Sequence, residues 1–99
     1  MMRGTTPTLE FVLPFDTAGL AEVYVTIAQG GKTKAEKTLE DCAAQKCLLS
    51  TKLTQEETLS LEADRMVEIQ LRVKTAAGDA LASNIIRENA ERILKDGVI

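Results

Sequence analysis

Residues Met66 to Lys74 read Met-Val-Glu-Ile-Gln-Leu-Arg-Val-Lys, and from Val67 onward apolar side chains alternate strictly with charged or amide ones. Side chains on a strand point to opposite faces with period two. Val67, Ile69, Leu71 and Val73 therefore line one face, and Glu68, Gln70, Arg72 and Lys74 the other. One face on a core and one in water is the signature of an antiparallel sheet. This run sets the fold class as all-β and carries no chemistry of its own.

Downstream, Thr75-Ala76-Ala77-Gly78-Asp79 forms a hairpin loop, and Ala80 to Arg87 continue as the partner strand. The segment after it reads two ways. Ile86, Ala90, Ile93 and Leu94 share a helical face, Glu88 with Arg92 and Glu91 with Lys95 are i,i+4 pairs, and Gly97 suits a helix stop. Local chemistry thus favours a helix over Asn84 to Lys95, while Ile85-Ile86 and the need for a long hairpin partner favour a strand. We read Leu81 to Arg87 as strand and leave residues 84–95 open between strand and helix.

Upstream, Thr54 followed by Glu57 matches a capping box and predicts one helical turn before Leu59 and Leu61 return to the core. Cys47 to Leu53 is a strand with Cys47, Leu49, Thr51 and Leu53 on one side. Glu40-Asp41 and Ala43 to Lys46 frame the corner before it. Glu22 to Gln29 places Val23, Val25 and Ile27 inward, and Gln29-Gly30-Gly31-Lys32 is a tight hairpin signal. Thr33 to Leu39 follows as a polar strand, suited to an edge. Thr8 to Leu13 is the first strand, ended by Pro14, which lacks the ladder's donor. About seven strands at intervals of 8–12 residues are the spacing of an antiparallel β-sandwich.

Ninety-nine residues make a single domain, 1–99, with residues 1–7 read as a flexible N-terminal arm. The apolar fraction of 44% supports an ordinary core, necessarily aliphatic because Phe11, Phe15 and Tyr24 are the only aromatics. That scarcity, with no Trp, disfavours sugar-binding and single-strand nucleic-acid platforms. Twelve basic and fifteen acidic residues give a net charge of −3. Glu36 and Glu40 interleave with Lys32, Lys34 and Lys37, so the densest basic stretch is a solvated face and no nucleic-acid partner is expected. No apolar stretch is long enough to span a bilayer, and Met1 to Pro7 lacks the features of a leader, so a cytoplasmic product without a membrane partner is expected.

Catalytic signals are missing. With no histidine, neither a Ser nor a Cys nucleophile has its usual base, and Cys42 with Cys47 cannot complete a zinc site. The two cysteines are either separate core residues or a cross-hairpin pair, and a cytosolic setting favours free thiols. Glu40-Asp41 and Glu56-Glu57 read as solvated loop acids. The glycines lack the spacing of a phosphate-cradling loop. The expectation is a non-enzyme with no catalytic, cofactor-binding or metal-binding residue. Its remaining candidate surface is the polar strand Thr33 to Leu39, able to accept a neighbouring strand or built to refuse one.

Four segments carry a resemblance. Arg3 to Thr8 with Leu13 to Thr17, Lys52 to Leu59, Val67 to Val73, and Arg92 to Ile99 together resemble short proteins of tailed phages and prophages of gut Firmicutes. The resemblance covers nearly the whole chain. It implies a β-sandwich similar to the immunoglobulin-like N-terminal modules of baseplate proteins, with a strand as its last segment. Arg87 to Glu91 departs from that pattern in being polar. The implied role is a structural or assembly component of the particle, partnered by other phage proteins or by copies of itself; the group offers no site residues. Two further functions are weighed beside it: an adhesion or carbohydrate-binding module, and a small regulator that binds a host protein.

Overall fold

In the computed structural model, which describes residues 1–99, the chain forms two antiparallel sheets. The strands are β1 (Thr8–Val12), β2 (Leu20–Gln29), β3 (Lys32–Thr38), β4 (Cys42–Gln45), β5 (Leu48–Lys52), β6 (Met66–Thr75), β7 (Ala80–Ala82) and β8 (Ile86–Asn89). A short helix, α1 (Gln55–Leu59), joins the layers. One sheet has three strands in the order β1-β5-β4. The other has five in the order β3-β2-β6, with β7 and β8 both on the far side of β6. The molecule measures 46 × 26 × 17 Å, so its thin dimension is that of two stacked sheets.

β6 adopts the alternation of its sequence. Val67, Ile69, Leu71 and Val73 are buried, and the register with β2 sets Val73 opposite Val23, Leu71 opposite Val25 and Ile69 opposite Ile27. These two ten-residue strands hold eight of the twelve core residues, and Leu49 and Leu53 cap them from the smaller sheet. Each such buried aliphatic side chain contributes roughly 1.5–3 kcal/mol of transfer free energy.

The β2–β3 hairpin turns at Gly30 and Gly31, whose φ values of 56° and 78° are those a two-residue turn demands. Lys34 is an extra residue in β3, because the register changes between Ile27/Ala35 and Ala28/Thr33.

Several details differ from the sequence reading. Ala43 to Gln45 is not a corner but most of β4, paired with β5 from Cys42/Thr51 to Gln45/Leu48. The turn of that hairpin is Lys46-Cys47, with Lys46 at φ 52°. Residues 84–95 do not form a helix: β8 pairs with β6, and beyond Asn89 the chain is irregular apart from one bridge. The single expected partner strand is interrupted. Arg72 faces Ala82 and Ile69 faces Ile86, a slip of one residue that makes Ser83 to Ile85 a bulge. There Ser83 Oγ accepts the Leu71 N–H at 3.0 Å, doing what a ladder carbonyl would otherwise do.

Residues 1–7, read as a flexible arm, are tied down at several points. Arg3 N–H donates to Glu91 C=O and Glu91 N–H to Met1 C=O, a short parallel pairing beside the end of β8. The Met1 amine meets Glu88 at 2.9 Å and Asn89 C=O at 2.7 Å. Thr58, fully buried on α1, donates to Thr5 C=O and accepts its N–H.

Candidate functional site

The polar strand β3 is an edge strand, as its composition predicts. It is also a closed edge. Lys37 lies opposite Val25 in the register, on the core side, and its Nζ reaches Glu57 Oε1 at 2.7 Å. The same oxygen accepts the Thr54 N–H at 2.8 Å, completing the capping box of α1. Burial opposes ionisation of Glu57, but the Lys37 ammonium and the Thr54 N–H outweigh it and hold its pKa below the usual value. An inward-pointing lysine, a bulge at Lys34 and further lysines along the strand are the devices that keep an edge from recruiting another chain. Sequence reading missed this role of Lys37. The signal was present in its parity, which it shares with inward-facing Ala35.

The other singled-out residues are spent on local structure. Asp41 Oδ2 accepts the Thr38 N–H at 2.9 Å, and that bond holds its carboxyl below the ordinary range. Glu40 and Glu56 are exposed. Cys42 is half-buried, which pushes its thiol up, and donates to Thr38 C=O; Cys47 is exposed at the hairpin tip, and both are free. The hairpin register sets Cys42 opposite Thr51, so the cross-hairpin pairing is not made. On the wet face of β6, Glu68 meets Arg87 at 3.4 Å and Gln70 donates to Ser83 C=O, while Arg72 and Lys74 stay exposed. No three His, Cys, Asp or Glu side chains converge on one point, and no helix is long and apolar enough to cross a membrane.

The opposite side of the sandwich is open. Three strands cannot cover five, and a groove of about 460 Å³ runs between β1 and β7. Phe11, Leu13 and Phe15 form one wall, Leu71, Val73 and Leu81 the other. It continues past Phe15 and Leu81 into a second hollow toward Thr75 and Asp79. The charged residues lining the two hollows are Glu10, Asp16 and Asp79, all acidic. Leu81 is 46% exposed and Val12 82%, large apolar surface left to water at the rim.

Both rims present unused backbone. Leu13 N–H donates to Cys47 C=O and Leu53 N–H to Pro7 C=O, which fixes the odd residues of β1 as the ones bonded to β5. In an antiparallel ladder the alternate residues then direct their N–H and C=O away, so Thr8, Glu10 and Val12 face the open edge. By the same parity Ser83 N–H bonds Leu71 C=O, and Ala80 and Ala82 face outward from β7. What this arrangement can do is hold an extended chain. Comparison of the chain with family models, curated proteins and solved structures gives no match.

Proposed function

We propose that this protein is a non-enzymatic interaction module, a small structural or assembly component of a tailed-phage or prophage particle. The observation that carries the interaction reading is the open side of the sandwich: an apolar groove flanked by strand edges whose backbone groups have no partner. An exposed edge beside apolar pockets is how β-augmentation domains recognise other chains, the ladder giving affinity and the pockets specificity. The particle setting rests on the sequence resemblance described above.

The strand order supports an immunoglobulin-like sandwich. Taken in chain order as B, C, C′, D, E and F, with β7 and β8 together as G, the strands fall into layers B-E-D and C′-C-F-G. An immunoglobulin domain carries a further strand A beside B. On this reading the groove along β1 is the lane of that strand, while Met1 to Arg3 pair instead with Asn89 to Glu91 beyond β8.

The test is capture of partners from a lysate of prophage-induced cells with the purified protein. Recovery of capsid, neck or tail proteins is the expected result. A protein that retains only a host enzyme, or that binds glycans on an array, overturns the reading.

A further inference from the structure

We propose that the groove between β1 and β7 takes the C-terminal segment Arg92–Ile99 of a second copy of this chain, added as a strand to the free edge of β1. The inference builds on the interaction-module reading and names the partner of the same groove.

Charge selects the occupant. A groove whose ionic residues are Glu10, Asp16 and Asp79 disfavours a second groove face to face with it and favours an apolar segment that carries bases. β3 has bases but is a closed edge, bulged at Lys34 and locked by Lys37 to Glu57. The tail Arg92-Ile93-Leu94-Lys95-Asp96-Gly97-Val98-Ile99 carries the bases Arg92 and Lys95 among apolar residues, and it belongs to no regular strand. Three of its four apolar side chains are left largely to water: Leu94 is 96% exposed, Ile99 88% and Val98 54%. Its attachments to its own domain are few: Ile93 sits beside Gly4, Asp96 lies 3.8 Å from the Arg3 guanidinium, and the Gln55 side chain bonds the Ile99 backbone.

Reach also fits. Eight extended residues span roughly 26 Å, against roughly 20 Å for the six residues Glu10 to Phe15 that wall the groove. A tail cannot fold back into its own groove as a hairpin with β8, because Met1 to Arg3 already pair along Asn89 to Glu91 in that position. With that route closed, the groove is open to the tail of another molecule. Groove and tail are different surfaces, so the contact is heterologous and propagates head to tail.

Complementation between two variants tests this. Leu94→Asp removes the anchor of the tail at a fully solvated position. Leu81→Lys puts a charge of the same sign as the tail's Arg92 and Lys95 into the groove, at a half-exposed position. Thermal unfolding of each confirms that it folds. Light scattering on the full chain at rising concentration is expected to show growing assemblies for the natural sequence. Each variant alone should weaken self-association on the order of tenfold or more. An equimolar mixture should form a 1:1 dimer that grows no further, the intact tail of the L81K chain entering the intact groove of the L94D chain. Val12→Pro, which removes an outward N–H from the β1 edge, should behave as L81K does. A natural chain that stays monomeric, a closed symmetric dimer, or assembly undiminished in the variants overturns the inference. A monomer that still captures particle proteins fails this inference alone. Head-to-tail assembly with no particle protein captured fails only the proposed function.

Discussion

Single buried hydroxyls and amides hold the connections of this domain. Thr58 is fully buried and bonds both the N–H and the C=O of Thr5. Thr58→Val keeps the shape and strands both groups, so it should cost about 1–3 kcal/mol. In a domain of this size that is a fall of roughly 4–8 °C in Tm per kcal/mol, read by calorimetry. Gln29, 2% exposed, grips the loop before β6 in the same way, donating to Glu62 C=O and accepting its N–H at 2.7 Å. The Lys37–Glu57 pair adds a pH dependence. Because the Glu57 pKa is lowered on folding, its contribution is complete above the ordinary glutamate range and is lost as pH falls through the folded value. Lys37→Met retains the buried stem but not the charge. Acid titration followed by circular dichroism should show the natural protein losing more stability than K37M between about pH 5 and pH 3; equal losses would remove Lys37 from the account.

At the scale of elements, two glycines separate backbone strain from packing. A methyl group at either Gly19 or Gly31 would touch nothing within 4 Å, yet only Gly31 has a left-handed φ, 78°. Gly31→Ala should therefore destabilise by about 1–2 kcal/mol. Gly19→Ala should be neutral or stabilise by about 0.4–1 kcal/mol through the unfolded chain. Urea unfolding of the two variants reads the difference, and an equal cost at both sites would contradict it. Elements whose own residues specify them were legible in the sequence: β6 from its alternation, the β2–β3 turn from adjacent glycines, α1 from its capping box. β4 was not, since Ala43-Ala44-Gln45 has no β-branched or aromatic residue and becomes a strand only because β5 lies beside it. The helical pattern of residues 84–95 was real but outvoted. Glu88, i,i+4 partner to Arg92 in a helix, instead meets the Met1 amine, and Ile86 pairs with Ile69. The groove was illegible because no residue encodes it. It exists because β1 has no neighbour on one side.

That imbalance of three strands against five sets how stability is distributed through the whole molecule. Only 16 of 99 residues are buried, and most of them lie on β2 and β6 or directly above these strands. A core so concentrated should make the β2–β6 pair the unit that opens last. Hydrogen exchange measured by NMR in dilute solution should show the amides that bond across this pair, those of Tyr24, Thr26, Gln70 and Arg72, exchanging only through global unfolding. Glu10, Val12, Ala80 and Ala82, whose N–H groups face the open side, should exchange far faster than the odd residues beside them on β1 and than Leu81. Parity alone makes that distinction, since Glu10 and Phe11 lie in the same strand and differ only in which edge their amides face. Repeating the measurement at high concentration turns the edge into a reporter. If the groove is filled by the tail of another copy, Glu10 and Val12 become protected while Lys34 and Glu36 on the closed edge β3 do not. Protection that rises equally at both edges would mean indiscriminate edge pairing, and protection at neither would leave β1 without a partner strand from its own kind.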